Sequence, residues 1–87
     1  MPYIPKHQRP ELDKKMDALI EHLSRVPVEE QDGALNYVIT RIIKKIYPTR
    51  YRHLNRALGV LTAVTHELYR RVVGPYEDEK IKENGDV

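Results

Sequence analysis

The sequence predicts an all-α protein: a small antiparallel bundle of three helices, with a long third helix and a docked acidic C-terminal tail. Three segments repeat apolar residues at intervals of three and four, the spacing of one helix face. Pro27 and Pro48 separate the segments, and such short connections favour antiparallel neighbours. The 87 residues suit a single domain. It comprises an extended arm (1–9), a three-helix core (10–75) and the acidic tail (76–87).

The first helix is predicted from Pro10 to Arg25. Proline suits the first helical position, and Glu11 and Asp13 suit the positive end of the helix dipole. Pro27 ends the helix. Its apolar face contains Leu12, Met16, Leu19, Ile20 and Leu23.

The second helix is predicted from Gly33 to Tyr47, with Asp32 as a cap that accepts a free backbone N–H. Cations are favoured in the last turn, where Lys44 and Lys45 lie. Pro48 then ends the helix. A wide apolar stripe is made of Leu35, Val38, Ile39, Ile42, Ile43 and Ile46.

The third helix is predicted from Arg50 to Val73, with Thr49 as a candidate cap and Gly74-Pro75 as its stop. The tail then forms one short turn over 77–82 before Asn84-Gly85. A seam of apolar residues runs along the helix in steps of four and three, which is coiled-coil-like and predicts a homo-oligomer through this helix. We define the seam as Leu54, Leu58, Leu61, Thr65, Leu68 and Val72.

A second stripe of the third helix carries small or polar residues at Asn55, Gly59, Thr62 and His66. A glycine inside a helix costs about 1 kcal/mol relative to alanine. The stripe therefore indicates close packing on the first helix or on a second subunit. A shallow ligand groove ending at His66 and Arg70 is the alternative.

The composition limits the possible classes of protein. The chain has no cysteine, so neither a disulfide nor a thiolate metal site can stabilise it. A chain this short has a marginal core, which again favours oligomerisation. No segment approaches the roughly 20 apolar residues of a membrane span. We expect a cytoplasmic protein without a membrane partner.

The charge distribution is strongly uneven. Residues 33–75 hold eight basic side chains and one acid, a net charge of +7. Residues 1–32 carry −2 and residues 76–87 carry −3. A basic middle between acidic ends indicates an anionic partner for the middle, or an acidic tail that covers it.

The basic cluster around the start of the third helix is the first candidate site. Arginines there oppose the helix dipole, and like charges four residues apart cost a few tenths of a kcal/mol. Stability therefore does not explain them, whereas a phosphate or carboxylate ligand does. Tyrosines beside them can stack on a base. The predicted ligand-binding residues are Lys44, Lys45, Tyr47, Arg50, Tyr51, Arg52 and Arg56.

No catalytic residue, metal site or cofactor is predicted. The single serine has no activating partner, and the histidines lack ligand spacing. In the motif His66-Glu67-Leu68-Tyr69-Arg70, an arginine stands where a zinc protease has its second histidine. Helix-turn-helix recognition of DNA is a minor alternative, since the seam leaves little of the third helix free for a groove.

Two stretches resemble a family of small all-helical proteins of phages and prophages that has no established activity. They are 33–41 (GALNYVITR) and 69–87 (YRRVVGPYEDEKIKENGDV). The resemblance implies that the tail is a family feature and docks on something. It also makes a second cluster a candidate structural network or the rim of a site. That cluster is His66, Glu67, Arg70, Arg71, Tyr76 and Asp78.

The leading interpretation is a non-enzymatic oligomer that binds an anionic ligand, a nucleotide or a nucleic-acid phosphate. One alternative is a protein-interaction module, in which the seam and the tail build subunit contacts and no small ligand binds. Another is a metal-dependent nucleotide hydrolase that uses Glu67 and the acids of the tail.

Overall fold

The protein is all-α, as predicted. The computed structural model describes residues 3–87, and no strand occurs among them. Three long helices follow one another: α1 (Arg9–Arg25), α2 (Val28–Ile46) and α3 (Tyr51–Leu68). A 3-10 turn (Lys6–Gln8) precedes α1, and a π-helical turn (Tyr69–Val73) joins α3 to α4 (Gly74–Asn84). The chain divides into two compact units, of which the first ends at Ile46 and the second begins at Tyr47.

The first unit is a hairpin of α1 and α2. The predicted start of α1 is confirmed, with Pro10 in its first turn. The predicted extended arm is partly helical, because the 3-10 turn begins at Lys6; Met1 and Pro2 lie outside the described residues. A hydrogen bond across the connection ties the two helices, since the Gln31 amide nitrogen donates to the Leu23 carbonyl at 3.4 Å.

The predicted start of α2 at Gly33, with Asp32 as its cap, is wrong. The helix begins at Val28, directly after Pro27, and Asp32 and Gly33 lie inside it. Glu29 and Glu30 occupy the first turn, where carboxylates are favoured by the helix dipole. These two acids were the true start signal, and the cost of one internal glycine is too small to break the helix.

The second unit begins with the connection to α3. Arg50 is the N-cap residue and makes no side-chain capping bond, so the expectation that Thr49 caps the helix is wrong. The Arg50 N–H donates to the Pro48 carbonyl at 2.8 Å, which closes a tight turn. The Arg50 carbonyl then accepts the N–H groups of His53 and Leu54, at 3.0 and 2.9 Å.

The predicted stop at Gly74-Pro75 is also wrong, because the chain stays helical to Asn84. Proline cannot donate a backbone hydrogen bond and clashes inside a regular helix. The π-helical turn relieves this conflict: the Gly74 N–H donates to the carbonyl of Tyr69, five residues earlier. Pro75 then falls in the first turn of α4, where a missing donor is tolerated.

The end of α4 agrees with the predicted signal at Asn84-Gly85. Gly85 has φ of +89°, in the left-handed region that favours glycine, and its N–H donates to the Ile81 carbonyl at 2.8 Å. The tail is therefore a helix of its own from Gly74 to Asn84, longer than the single turn expected over 77–82.

Most of the apolar surface of both units is exposed. Ala57 of α3, 3% exposed, is the sole buried residue in the described part of the chain. Along the seam, Leu54 is 42% and Leu58 62% exposed, and Leu68 and Val72 are 56% and 57% exposed. Thr65 donates its hydroxyl to the Leu61 carbonyl at 3.1 Å, so its polar group is satisfied within the helix.

Candidate anion-binding site

The seven predicted ligand-binding residues fall in both units. Lys44 and Lys45 lie in the last turn of α2, in the first unit. The other five belong to the second unit, in the connection or the first turns of α3: Tyr47, Arg50, Tyr51, Arg52 and Arg56. Within the second unit, the structure brings Arg56 together with Tyr47.

Arg56 is held between two neighbours. Its guanidinium carbon lies 5.2 Å from the centre of the Tyr47 ring, a cation–π distance. Its Nη1 lies 2.9 Å from Nδ1 of His53, one turn earlier on α3. Since arginine can only donate, the Nδ1 atom is the acceptor of this hydrogen bond. These contacts fix the direction of the guanidinium and leave it donors for a ligand.

The start of α3 adds further positive charge and an exposed ring. Arg50 and Arg52 are exposed, and no acid lies in the first turn of the helix. The first N–H groups of a helix have no acceptor within it, and the dipole makes this end positive. Tyr51 is 81% exposed, so its ring is accessible. Anions are favoured at such an end.

The basic side chains between residues 41 and 56 have no carboxylate partner among residues 3–87. Five ion pairs among residues 3–87 each join residues of one helix or of its immediate continuation. These pairs are Lys15–Glu11, Arg25–Glu21, Arg70–Glu67, Lys80–Glu83 and Lys82–Glu79. None involves a base between residues 41 and 56. No acid of the described chain therefore neutralises these basic side chains by an ion pair.

A second basic surface lies on α2, and the sequence interpretation identified only its two lysines. A pocket of ≈ 520 Å³ is lined by five residues of this helix: Tyr37, Thr40, Arg41, Lys44 and Lys45. We call these five residues the α2 basic face. The missed residues could have been found from their spacing, because steps of three and one keep all five on one side of the helix.

The chain matches the family model described as "Domain of unknown function (DUF6899)" over residues 1–87. It belongs to this family. No curated protein and no solved structure matches the chain. The residues of this DUF6899 member are therefore the basis for its proposed function.

The second predicted cluster of this DUF6899 member contains an ion pair between two of its residues. Arg70 Nη2 lies 3.1 Å from Glu67 Oε1. The ring of Tyr76 contacts Lys80 instead, with the ammonium 5.5 Å from the ring centre. No described contact brings His66 or Arg71 to these groups within residues 3–87.

A hydrogen bond across the π-helical turn was missed by the sequence interpretation. Tyr69 donates its hydroxyl to Glu77 Oε1 at 2.6 Å. This bond and the charge of Glu77 raise the pKa of Tyr69 above its ordinary value of 10.0, and Asp78 adds a smaller effect of the same sign. A Cβ added at Gly74 would lie 3.2 Å from the Tyr69 carbonyl oxygen and 4.0 Å from the Tyr69 ring, so the tight contact there is with the backbone and not with the ring.

Residues 3–87 hold neither a cluster of metal-ligating side chains nor a membrane-spanning helix. No group of three or more His, Asp or Glu side chains within 3–87 could hold a metal ion. No helix in that part of the chain has the length and apolar character needed to cross a bilayer.

Proposed function

We propose that this DUF6899 member is a non-enzymatic, oligomeric, cytoplasmic binder of an anionic ligand, a nucleotide or a nucleic-acid phosphate. The exposed arginines and tyrosine at the start of α3 support this proposal. A single observation carries it: no base between residues 41 and 56 has a carboxylate partner in the described chain, whereas bases of α1 and α4 pair within their own helices. An association with phages or prophages remains a prediction from resemblance.

The chemistry of the arginines favours phosphate or carboxylate. A guanidinium presents a planar fork of donors that matches two oxygens of either group. Arg56 is already oriented by Tyr47 and His53, so less side-chain entropy is lost when it binds a ligand. The exposed ring of Tyr51 can stack on a base, a contact worth about 1–3 kcal/mol.

Titration calorimetry with a nucleoside triphosphate, and separately with inorganic phosphate, tests the proposal. The double variant Arg52→Glu/Arg56→Glu is expected to lose binding while circular dichroism shows unchanged helix content. The matched control is Lys6→Glu/Lys14→Glu, which makes the same change of charge on exposed residues elsewhere. If the arginine variant keeps its affinity, the ligand binds elsewhere on the protein. If both variants lose affinity equally, the ligand responds to the net charge of the protein and not to these arginines.

A protein-interaction module is the second candidate function, and the exposed seam favours it. Apolar residues repeat with coiled-coil spacing along α3 and into the π-helical turn, yet Leu58, Leu68 and Val72 are each more than half exposed. A second copy pairing along the seam would bury them. Leu58→Glu and deletion of residues 76–87 are each expected to lower the mass measured by native mass spectrometry. If the wild-type chain is a monomer at all concentrations, this function and the homo-oligomer are both rejected.

A further inference from the structure

The α2 basic face has a density of positive charge that helix stability does not explain. Lys44 and Lys45 lie in the last turn, where the dipole favours cations. Arg41 precedes that turn, and the effect of the dipole falls off within one turn. Arg41 is also three and four residues from the two lysines, where like charges repel by a few tenths of a kcal/mol.

No acid of α2 lies close enough to relieve this repulsion. The last acid of the helix is Asp32, nine residues before Arg41, which corresponds to about 13 Å along the axis. Neither Arg41 nor the two lysines take part in a described ion pair within residues 3–87. All three side chains are exposed. The face therefore presents three cations over slightly more than one turn, with no neutralising group on the helix itself.

An aromatic ring lies beside these cations. Tyr37 is 64% exposed and stands four residues before Arg41, so the ring and the guanidinium share one side of the helix. Both line the same pocket, with Thr40 between them in the chain. The Thr40 hydroxyl donates to the Asn36 side-chain oxygen at 3.1 Å, which fixes its orientation.

We infer that the α2 basic face binds the backbone of a single-stranded nucleic acid, with one unstacked base on the Tyr37 ring. A row of cations follows successive phosphates, and an exposed aromatic ring accepts any base, which together characterise sequence-tolerant binding of single strands. A duplex keeps its bases stacked and gives the ring no partner. This inference rests on the proposed function and names a single-stranded polymer as its ligand. Its residues lie in the first unit, so they can be substituted without changing Arg52 and Arg56 of the second unit.

The test is fluorescence anisotropy with a labelled oligothymidylate, titrated at several salt concentrations. In Arg41→Gln/Lys44→Gln/Lys45→Gln, loss of three phosphate contacts is expected to reduce the salt slope of log affinity by about 2, since each contact on a single strand contributes about 0.7. Tyr37→Ala is expected to weaken binding about tenfold or more, and Tyr37→Phe to retain it. The control Lys6→Gln/Lys14→Gln/Lys15→Gln removes equal charge from the same unit and is expected to bind like wild type.

Failure of this inference can be separated from failure of the proposed function. If Arg52→Glu/Arg56→Glu abolishes nucleotide binding while the triple α2 variant retains the wild-type salt slope for oligothymidylate, the α2 site is rejected and the proposed function stands. If the triple variant no longer binds oligothymidylate but still binds the nucleoside triphosphate, the α2 site is supported. Equal binding of a hairpin duplex or of polyglutamate would overturn the inference, because either would show attraction without recognition of single strands. If the wild-type protein binds neither oligothymidylate nor the nucleoside triphosphate, both proposals are rejected.

Discussion

Replacing Gly59 by alanine tests whether the small-residue stripe of α3 is covered in solution. The sequence interpretation expects close packing at this stripe, but a Cβ built at Gly59 meets no heavy atom within 4 Å. Alanine is more favourable than glycine in a helix interior by about 0.8–1.0 kcal/mol. Gly59→Ala is therefore expected to stabilise the chain by about 1 kcal/mol, which raises the melting temperature by about 4–8 °C for a domain of this size.

Gly74→Ala in the same unit is the comparison. There the added Cβ would lie 3.2 Å from the Tyr69 carbonyl oxygen, which already accepts the Gly74 N–H. The carbonyl must move by a few tenths of an ångström, a backbone distortion on the order of 1 kcal/mol. That cost cancels the gain in helix propensity, so the net change is expected to lie near zero.

Urea denaturation followed by circular dichroism measures both changes, at two protein concentrations to detect self-association. Gly33→Ala is a second control, since its Cβ would also meet nothing within 4 Å and it lies inside α2. A gain at Gly74 equal to that at Gly59 would refute the role of the close carbonyl. Destabilisation at Gly59 with the expected gain at Gly33 would show that another surface approaches the stripe in solution.

Three further predictions concern the π-helical turn and the end of α4. The pKa of Tyr69 is raised, so the folded state holds the phenol proton more tightly than the unfolded chain does. The hydrogen bond to Glu77 therefore stabilises the fold fully below pH 10.0, the ordinary pKa of tyrosine. This stabilisation is lost as the pH rises through the raised pKa. Ultraviolet titration is expected to show one tyrosine ionising after the others. Glu77→Ala removes both the acceptor and the charge and is expected to abolish the delay, whereas unchanged curves would contradict the bond. Pro75→Ala restores a backbone donor and is expected to replace the π-helical turn by a regular turn, which rotates Glu77 away and likewise returns Tyr69 to ordinary titration. Gly85→Ala places a Cβ at a φ of +89°, a conformation that alanine rarely adopts. The N–H of residue 85 donates to the Ile81 carbonyl, so this variant is expected to exchange that proton faster. Gly85→Asn is expected to increase the exchange rate less, because asparagine tolerates this conformation better than alanine does.

The helical class and the bounds of α1 could be predicted from the sequence because apolar spacing and an N-terminal proline indicate the same element. The errors at α2 and α3 share one cause. Gly33 and Gly74-Pro75 were interpreted as breaks, although a glycine alone costs only about 1 kcal/mol and a proline is tolerated in the first turn of a helix. A π-helical turn has no simple sequence signal, so its position at Tyr69–Val73 could not be anticipated.

The candidate site was predicted from charge but not from geometry. The lack of nearby acids in the sequence predicts the seven residues, and no base between residues 41 and 56 forms an ion pair in the described chain. The contact between Arg56 and His53 was not predicted, although residues three apart in a helix are neighbours on its surface. Arg41 and Tyr37 were not predicted as site residues, although their spacing places them on the same side of α2 as Lys44 and Lys45.

The helical tail also changes the competing explanation of the basic cluster, in which acids of the tail cover the arginines. Within the second unit, α3, the π-helical turn and α4 form consecutive helical turns from Tyr51 to Asn84. At about 1.5 Å per residue, Glu77 lies roughly 38 Å along this helical run from Arg52. The acids of α4 are also engaged locally, since Glu79 and Glu83 pair with Lys82 and Lys80. For the tail to neutralise Arg52 and Arg56, it would have to come from a second copy. Binding of an anion should then depend on protein concentration, because self-association and the ligand would compete for the same guanidinium groups.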